Sequence, residues 1–250
     1  MPVKKKTNKA PGSGMTAKQL KRRKPISQEY MLPIEPLTDN QKVMFDEWDK
    51  GKMIYAYGVA GTGKTFVALY KALKEVLDDY SPYEKIYIVR SLVATREIGF
   101  LPGDHEDKSS LYQIPYKNMV QAMFEMPDDN SYEMLYDNLK AQETISFWST
   151  SFIRGTTLDN SIVIIDECQN LNFHELDSII TRVGQDSKIV FCGDAAQTDL
   201  QKISERTGII DFQRILQEME EFQLIEFGIE DIVRSGLVKS YLINKINLGL

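Results

Sequence analysis

Met53-Ile-Tyr-Ala-Tyr-Gly58-Val-Ala-Gly-Thr-Gly-Lys64-Thr65-Phe66 sets an apolar, aromatic run directly before a glycine-rich loop. The first five residues read as a strand, and a helix is expected to begin near Lys64. Gly58 to Thr65 satisfies G-x-x-x-x-G-K-[ST] in the strand–loop–helix context that its chemistry requires. Gly58, Gly61 and Gly63 let the backbone wrap so that several N–H groups converge on the same phosphates, and the helix N-terminus adds its positive dipole end. In such a loop the lysine, Lys64, reaches the β- and γ-phosphates and the Thr65 hydroxyl coordinates Mg²⁺. Gly58, Ala60, Gly61, Thr62, Gly63, Lys64, Thr65 and Phe66 are therefore the candidate nucleotide contacts, with ATP and Mg²⁺ as the expected cofactors.

A partner motif lies about a hundred residues downstream, in Ile162-Val-Ile-Ile-Asp166-Glu167. An apolar strand ending in a carboxylate places Asp166 at the carboxyl edge of a sheet, where it would hold Mg²⁺. Glu167 follows at once and is the candidate general base for the attacking water. A third element, Gly193-Asp194-Ala-Ala-Gln197, follows the next strand-like run. Gln197 is the candidate contact to the γ-phosphate or the water.

Apolar runs alternate with helical periodicity from Pro36 onward, which predicts an α/β fold: a parallel sheet sandwiched between helices in one core domain. Strands are expected at Met53–Tyr57, Lys85–Arg90, Thr144–Trp148, Ser161–Ile165, Lys188–Cys192 and Phe222–Phe227. Helices are expected from Thr38 or Asp39 to Lys50, Lys64 to about Asp79, 115–126, 131–140, Phe173–Val183 and Gly208–Glu221. Residues 91–110 read as irregular. A last helix would draw its apolar stripe from Ile232, Val233, Leu237, Tyr241 and Leu242.

Composition excludes several classes. The chain is 42% hydrophobic and 26% charged, ordinary for a globular protein. Nothing in it resembles a signal peptide, no apolar run reaches membrane-spanning length, and no membrane span is expected. Cys168 and Cys192 cannot build a disulfide framework or a four-ligand zinc site, and they fit a reduced, cytoplasmic setting as inert core thiols. His105 and His174 have no partner at metal-ligand spacing. The net charge of −6 hides an asymmetry. Lys4, Lys5, Lys6, Lys9, Lys18, Lys21, Arg22, Arg23 and Lys24 make residues 1–24 wholly basic, so the remainder is more acidic than the total suggests. Residues 1–30 are expected to be a disordered basic tail and 31–250 the folded domain. The tail suits nucleic acid, the acidic body of a neighbouring chain, or solvation alone.

Longer strings carry a family resemblance. Asp166-Glu-Cys-Gln-Asn170 and TRVGQDSKIVFCGDAAQTDL (Thr181–Leu200) resemble the PhoH family of ATPases, as do EIGFLPGDHEDK (Glu97–Lys108), FIRGTTLDN (Phe152–Asn160) and VRSGLV (Val233–Val238). The likeness spans roughly residues 36–242. It implies a RecA-like P-loop domain related to superfamily 1 helicases, ATP hydrolysis, and a ring-shaped homo-oligomer, a hexamer, with a trans-acting arginine. It also implies a single-stranded nucleic-acid partner, RNA ahead of DNA. Leu37-Thr38-Asp39-Asn40-Gln41 is similar to the helicase Q-motif, which would set Gln41 on the adenine edge. Arg182 and Arg234 are favoured as the trans arginine over Arg90, Arg96, Arg154 and Arg206. The chain departs from the family pattern at Cys168, Ser91, Thr156 and Ser235–Gly236, where the family tends to have Ala, Pro, a second arginine and His-Pro.

Three functions compete. A motor moving on single-stranded nucleic acid predicts turnover stimulated by the polymer. A nucleoside kinase shares only the phosphate loop and the Asp-Glu-x-Gln segment, and usually adds a zinc ribbon that two cysteines cannot supply. A non-motor switch or scaffold for a nuclease or other partner predicts slow turnover indifferent to nucleic acid.

Overall fold

The computed structural model describes residues 26–90, 105–153, 155–194 and 203–248. Six strands form one parallel sheet: β1 (Met53–Gly58), β2 (Lys85–Arg90), β3 (Ile145–Ser149), β4 (Ser161–Asp166), β5 (Lys188–Cys192) and β6 (Phe222–Phe227), ordered β3-β2-β4-β5-β1-β6. All six lie within a residue of the ranges expected from the apolar runs. The parallel sheet between helices is the α/β P-loop architecture expected from the sequence.

The helices are α1 (Asp39–Asp49), α2 (Lys64–Val76), α3 (His105–Gln121), α4 (Asp129–Ala141), α5 (Phe173–Ile180), α6 (Ile203–Gln217) and α7 (Gly236–Asn247), with a single turn at Thr150–Ile153. Local chemistry sets their starts. Thr38 caps α1 by accepting from the Gln41 N–H, Asp128 caps α4, and Asn172 with Glu175 forms a reciprocal capping box on α5. α2 has no side-chain cap; it springs from Gly63 at φ +84°, so no cap side chain takes up its first N–H groups.

Alternation along the strands divides the core into two layers. Ile162 and Ile164 of β4 join Met44, Trp48, Leu69, Leu73 and Val120 from α1, α2 and α3 on one face. Val163 and Ile165 point the other way, towards Leu176, Ile179, Phe212 and Leu216 of α5 and α6. β4 is buried at all six positions, as a parallel strand covered on both faces should be. Lys188 is buried at the start of β5, its ammonium over the Trp48 ring and 3.5 Å from Glu75.

Several details differ from the sequence expectations. α3 begins at His105, inside the stretch read as irregular, and carries Pro115 within it. α6 lies earlier than Gly208–Glu221. Packing starts before Met31: Ile26 is buried and Met31 bridges to Phe124. The stripe assigned to the last helix is not a buried one. α7 buries no residue, Leu237 and Tyr241 are 84% and 65% exposed, and the buried Ile232 precedes the helix. Among the described residues, no helix is long and apolar enough to cross a membrane.

Candidate functional site

Strand order brings the separate motifs to one edge. β1 and β4 flank β5, and all three end at the same carboxyl edge, where a cleft of about 620 Å³ opens. Gly58, the last residue of β1, has φ +115°, and a Cβ there would stand 2.2 Å from the Phe227 carbonyl oxygen. Val59 N–H donates to that same oxygen at 2.9 Å, so β6 fixes the start of the turn. Thr62 is fully buried and ties the turn to itself through Oγ1 to the Val59 carbonyl, 3.0 Å. Lys64 Nζ lies inside the turn, donating to the Val59 and Gly58 carbonyls at 2.7 and 3.2 Å. Burial lowers its pKa, opposed by Cys192, Asp194, Glu167 and Asp166.

The two halves of the site touch directly. Thr65 Oγ1 donates to Asp166 Oδ1 at 2.7 Å, closing a separation of 101 residues. Mg²⁺ fits here. Among the described residues no cluster of three or more His, Cys, Asp or Glu side chains forms a cage, and Mg²⁺ characteristically uses one or two carboxylates completed by phosphates and water. Thr65 and Asp166 would hold the ion, which would neutralise charge on the phosphate oxygens.

Glu167 adopts φ +53°, a left-handed conformation that turns the chain sharply after β4. Its Oε2 accepts from Gln169 Nε2 at 2.5 Å, while Gln169 Oε1 accepts from the Asp194 N–H at 2.9 Å. Gln169 is buried and thus joins the candidate base to the tip of β5. Sequence reasoning gave it no role of its own; the signal available was a polar residue two positions beyond a general base. Tyr116 was missed altogether. Its hydroxyl donates to Asp166 Oδ2 at 2.6 Å from α3. Burial and then the Asp166 charge raise its pKa, so it stays a neutral donor.

A sequence model of the PhoH-like protein family matches residues 33–244. This chain belongs to that family. It is 32% identical over 206 residues to a PhoH-like protein of Mycobacterium leprae, covering 82% of this chain and 56% of that one. Protein PhoH of Escherichia coli is 30% identical over 193 residues, covering 76% and 52%. The chain thus spans about half the length of the curated relatives it matches. Among solved structures it is similar to the large terminase of a thermophilic bacteriophage in complex with ADP (TM-score 0.47, 14% identity, 82% of this chain and 49% of that one). It is also similar to unliganded Pif1 from Bacteroides (TM-score 0.40, 17% identity, 86% and 45%).

The remaining candidates fall into three groups. Ala60, Gly61, Gly63, Thr65, Phe66 and Gln41 line the cleft. The Gln41 amide accepts from the Leu37 N–H and donates to the Thr62 carbonyl, both at 2.8 Å, so it braces the phosphate loop. Arg234 and Arg90 line the cleft of their own chain. The Arg234 Cγ lies 2.9 Å from the Cβ position of Gly61, and Arg90 is in register with Asp166. Arg182 follows α5 at the opposite, amino-terminal edge of the sheet, and its Nε is buried with no partner among the described residues. Gln197, Arg96, Arg154 and the Arg206 side chain lie outside the described residues. Cys168 and Cys192 are free and buried; burial pushes the Cys168 thiol up to about 12, which fits the inert role expected of it.

Arg234 is brought to the loop by the segment after β6. Val233 N–H donates to the Gly61 carbonyl at 3.1 Å. Asp231 anchors that segment, accepting from Asn40 Nδ2 and the Gly228 N–H at 2.7 and 2.9 Å. Burial pushes its carboxyl up, but bonds from Asn40, Thr38 and Gly228 outweigh this and hold it below the ordinary range. A depressed carboxyl stabilises the fold above the unfolded pKa, about pH 4, and that contribution is lost as pH falls through the folded value. Thermal melting between pH 5 and pH 3 should therefore show a smaller loss of stability in Asp231→Asn than in the wild type. Parallel curves for the two proteins would remove Asp231 from the acid response.

Proposed function

We propose that this chain binds ATP with Mg²⁺ and hydrolyses it. The carrying observation is the Thr65–Asp166 hydrogen bond, which unites the phosphate loop with the Asp-Glu pair, and Glu167 lines the same cleft. Lys64 and the loop amides hold the phosphates, and Glu167 takes the proton of the attacking water. Gln41 retains a second N–H and a second lone pair for an adenine edge after bracing the loop. Gln197 would complete the γ-phosphate contacts.

The finer reading is a homo-oligomeric, ring-forming ATPase that couples turnover to single-stranded nucleic acid. Family membership and the basic run Lys4–Lys24 support it. The acidity of the remaining chain favours the second reading, a nucleotide switch or scaffold acting on a protein partner. Steady-state ATP hydrolysis with and without single-stranded RNA and DNA separates them. The motor reading expects stimulation by a polymer that fades as salt rises, because phosphate contacts release counterions. Turnover that ignores both polymers sinks the motor and keeps the switch. Absence of any hydrolysis sinks the ATPase itself.

A further inference from the structure

The carboxylate assigned to Mg²⁺ is held from two directions. Thr65 Oγ1 takes Oδ1 at 2.7 Å and Tyr116 Oη takes Oδ2 at 2.6 Å. Asp166 is 8% exposed and Tyr116 2%, so neither bond is readily exchanged for one to water. Thr65 belongs to the phosphate loop's own helix. Tyr116 comes from α3, in the helical pair inserted between β2 and β3. Its ring is fixed against Phe147 of β3, with centroids 5.4 Å apart. The next residue, Lys117, ties α3 to α4: its carbonyl accepts from the Tyr132 hydroxyl and its ammonium pairs with Glu133 at 2.5 Å.

We propose that Tyr116 is a positioning residue for the metal site, holding the outer oxygen of Asp166 so that Oδ1 faces Thr65 and the ion. The inference rests on the nucleotide-site reading above. A carboxylate held at one oxygen only can rotate about its Cβ–Cγ bond. Held at both, it presents one oxygen in a fixed direction, so an ion meets a preorganised ligand and less side-chain entropy is lost on binding. The same bond makes α3 part of the site: a displacement of α3 that lengthens it frees Asp166 to rotate.

The test is equilibrium binding of a fluorescent ADP to the full chain, in EDTA and in excess Mg²⁺. Tyr116→Phe keeps the ring and its packing and removes the hydroxyl alone. The affinity gained on adding Mg²⁺ should fall about tenfold in this variant, the usual scale for a lost hydrogen bond to a charged group. Affinity in EDTA should stay within about threefold of wild type, since the phosphate loop is untouched. Tyr136→Phe is the control: its buried hydroxyl has no partner among the described residues, and the Mg²⁺ gain should be unchanged. A Tyr116→Phe gain within about threefold of wild type, or an equal loss in Tyr136→Phe, overturns the proposal. If Tyr116→Phe does not melt cooperatively, hydrogen exchange of wild-type 112–121 decides instead. Added protection when Mg²⁺ joins bound ADP supports the bond, and no change overturns it. Wild-type protein that binds no nucleotide in either buffer fails the underlying site reading, and the proposal falls with it.

Discussion

Replacing Glu167 with glutamine is expected to leave ATP bound and to stop its hydrolysis. Glutamine preserves length and shape, removes the negative charge, and cannot accept the water's proton. Position 167 suits this test because its backbone is unusual. At φ +53° both residues pay the same conformational cost, whereas glycine would also relax the turn after β4 and alanine would remove the bond to Gln169. The neighbouring bond survives as well, since the new amide can turn its oxygen to Gln169 Nε2, now 2.5 Å from Glu167 Oε2. Asp166 keeps its bonds to Thr65 and Tyr116, so metal and nucleotide affinity should stay within about threefold. Removing a general base costs roughly 10²- to 10⁴-fold, so single-turnover hydrolysis should fall at least about a hundredfold. A variant within about tenfold of wild type would mean that another group activates the water. Asp194, buried at the tip of β5 and joined to Glu167 through Gln169, would be the next to replace.

Which parts of this site were legible follows from how their information is stored. The phosphate loop and the Asp-Glu pair are local: a strand, a turn and a fixed residue order specify them, and short apolar runs located the strands closely. Gln169 and Tyr116 act through contacts made by tertiary packing. Tyr116 lies 50 residues from Asp166, on a helix whose start at His105 follows Gly99, Pro102 and Gly103 in the sequence. Nothing in its local pattern separates it from an ordinary core tyrosine. The arginines show the converse limit. Periodicity said nothing of which edge of the sheet each would meet, and Arg234 and Arg182 proved to lie at opposite edges. α7 misled for a physical reason: an apolar stripe at helical spacing states that a face avoids water, not which molecule covers it. Leu242, by contrast, does reach the loop, its Cδ1 lying 3.4 Å from the Cβ position of Gly61.

The loop's dependence on its neighbouring strand leads to the other large effect, on stability. Gly58→Ala should destabilise the protein severely, through two causes that a control can separate. The first is backbone strain, because φ +115° is a conformation that L-residues rarely adopt. The second is the added methyl group, which would meet the Phe227 oxygen at 2.2 Å and its nitrogen at 2.9 Å. These are backbone atoms of β6, and their place is set by six in-register pairs from Met53↔Phe222 to Gly58↔Phe227. Relief therefore requires the strand ends to part, breaking the bond from Val59 N–H to the Phe227 carbonyl. Together these should cost at least about 3 kcal/mol, lowering the melting temperature by roughly 6–12 °C for a chain of this size. Gly51→Ala is the control. Gly51 has φ +84° but nothing within 4 Å of its Cβ position, so it carries strain without a clash and should lose only about 1 kcal/mol. Equal melting temperatures for the two variants would show that β6 yields freely and that Phe227 does not brace the loop. A large gap, with phosphate affinity falling beyond what the melting shift explains, would place the loop's shape under the control of β6.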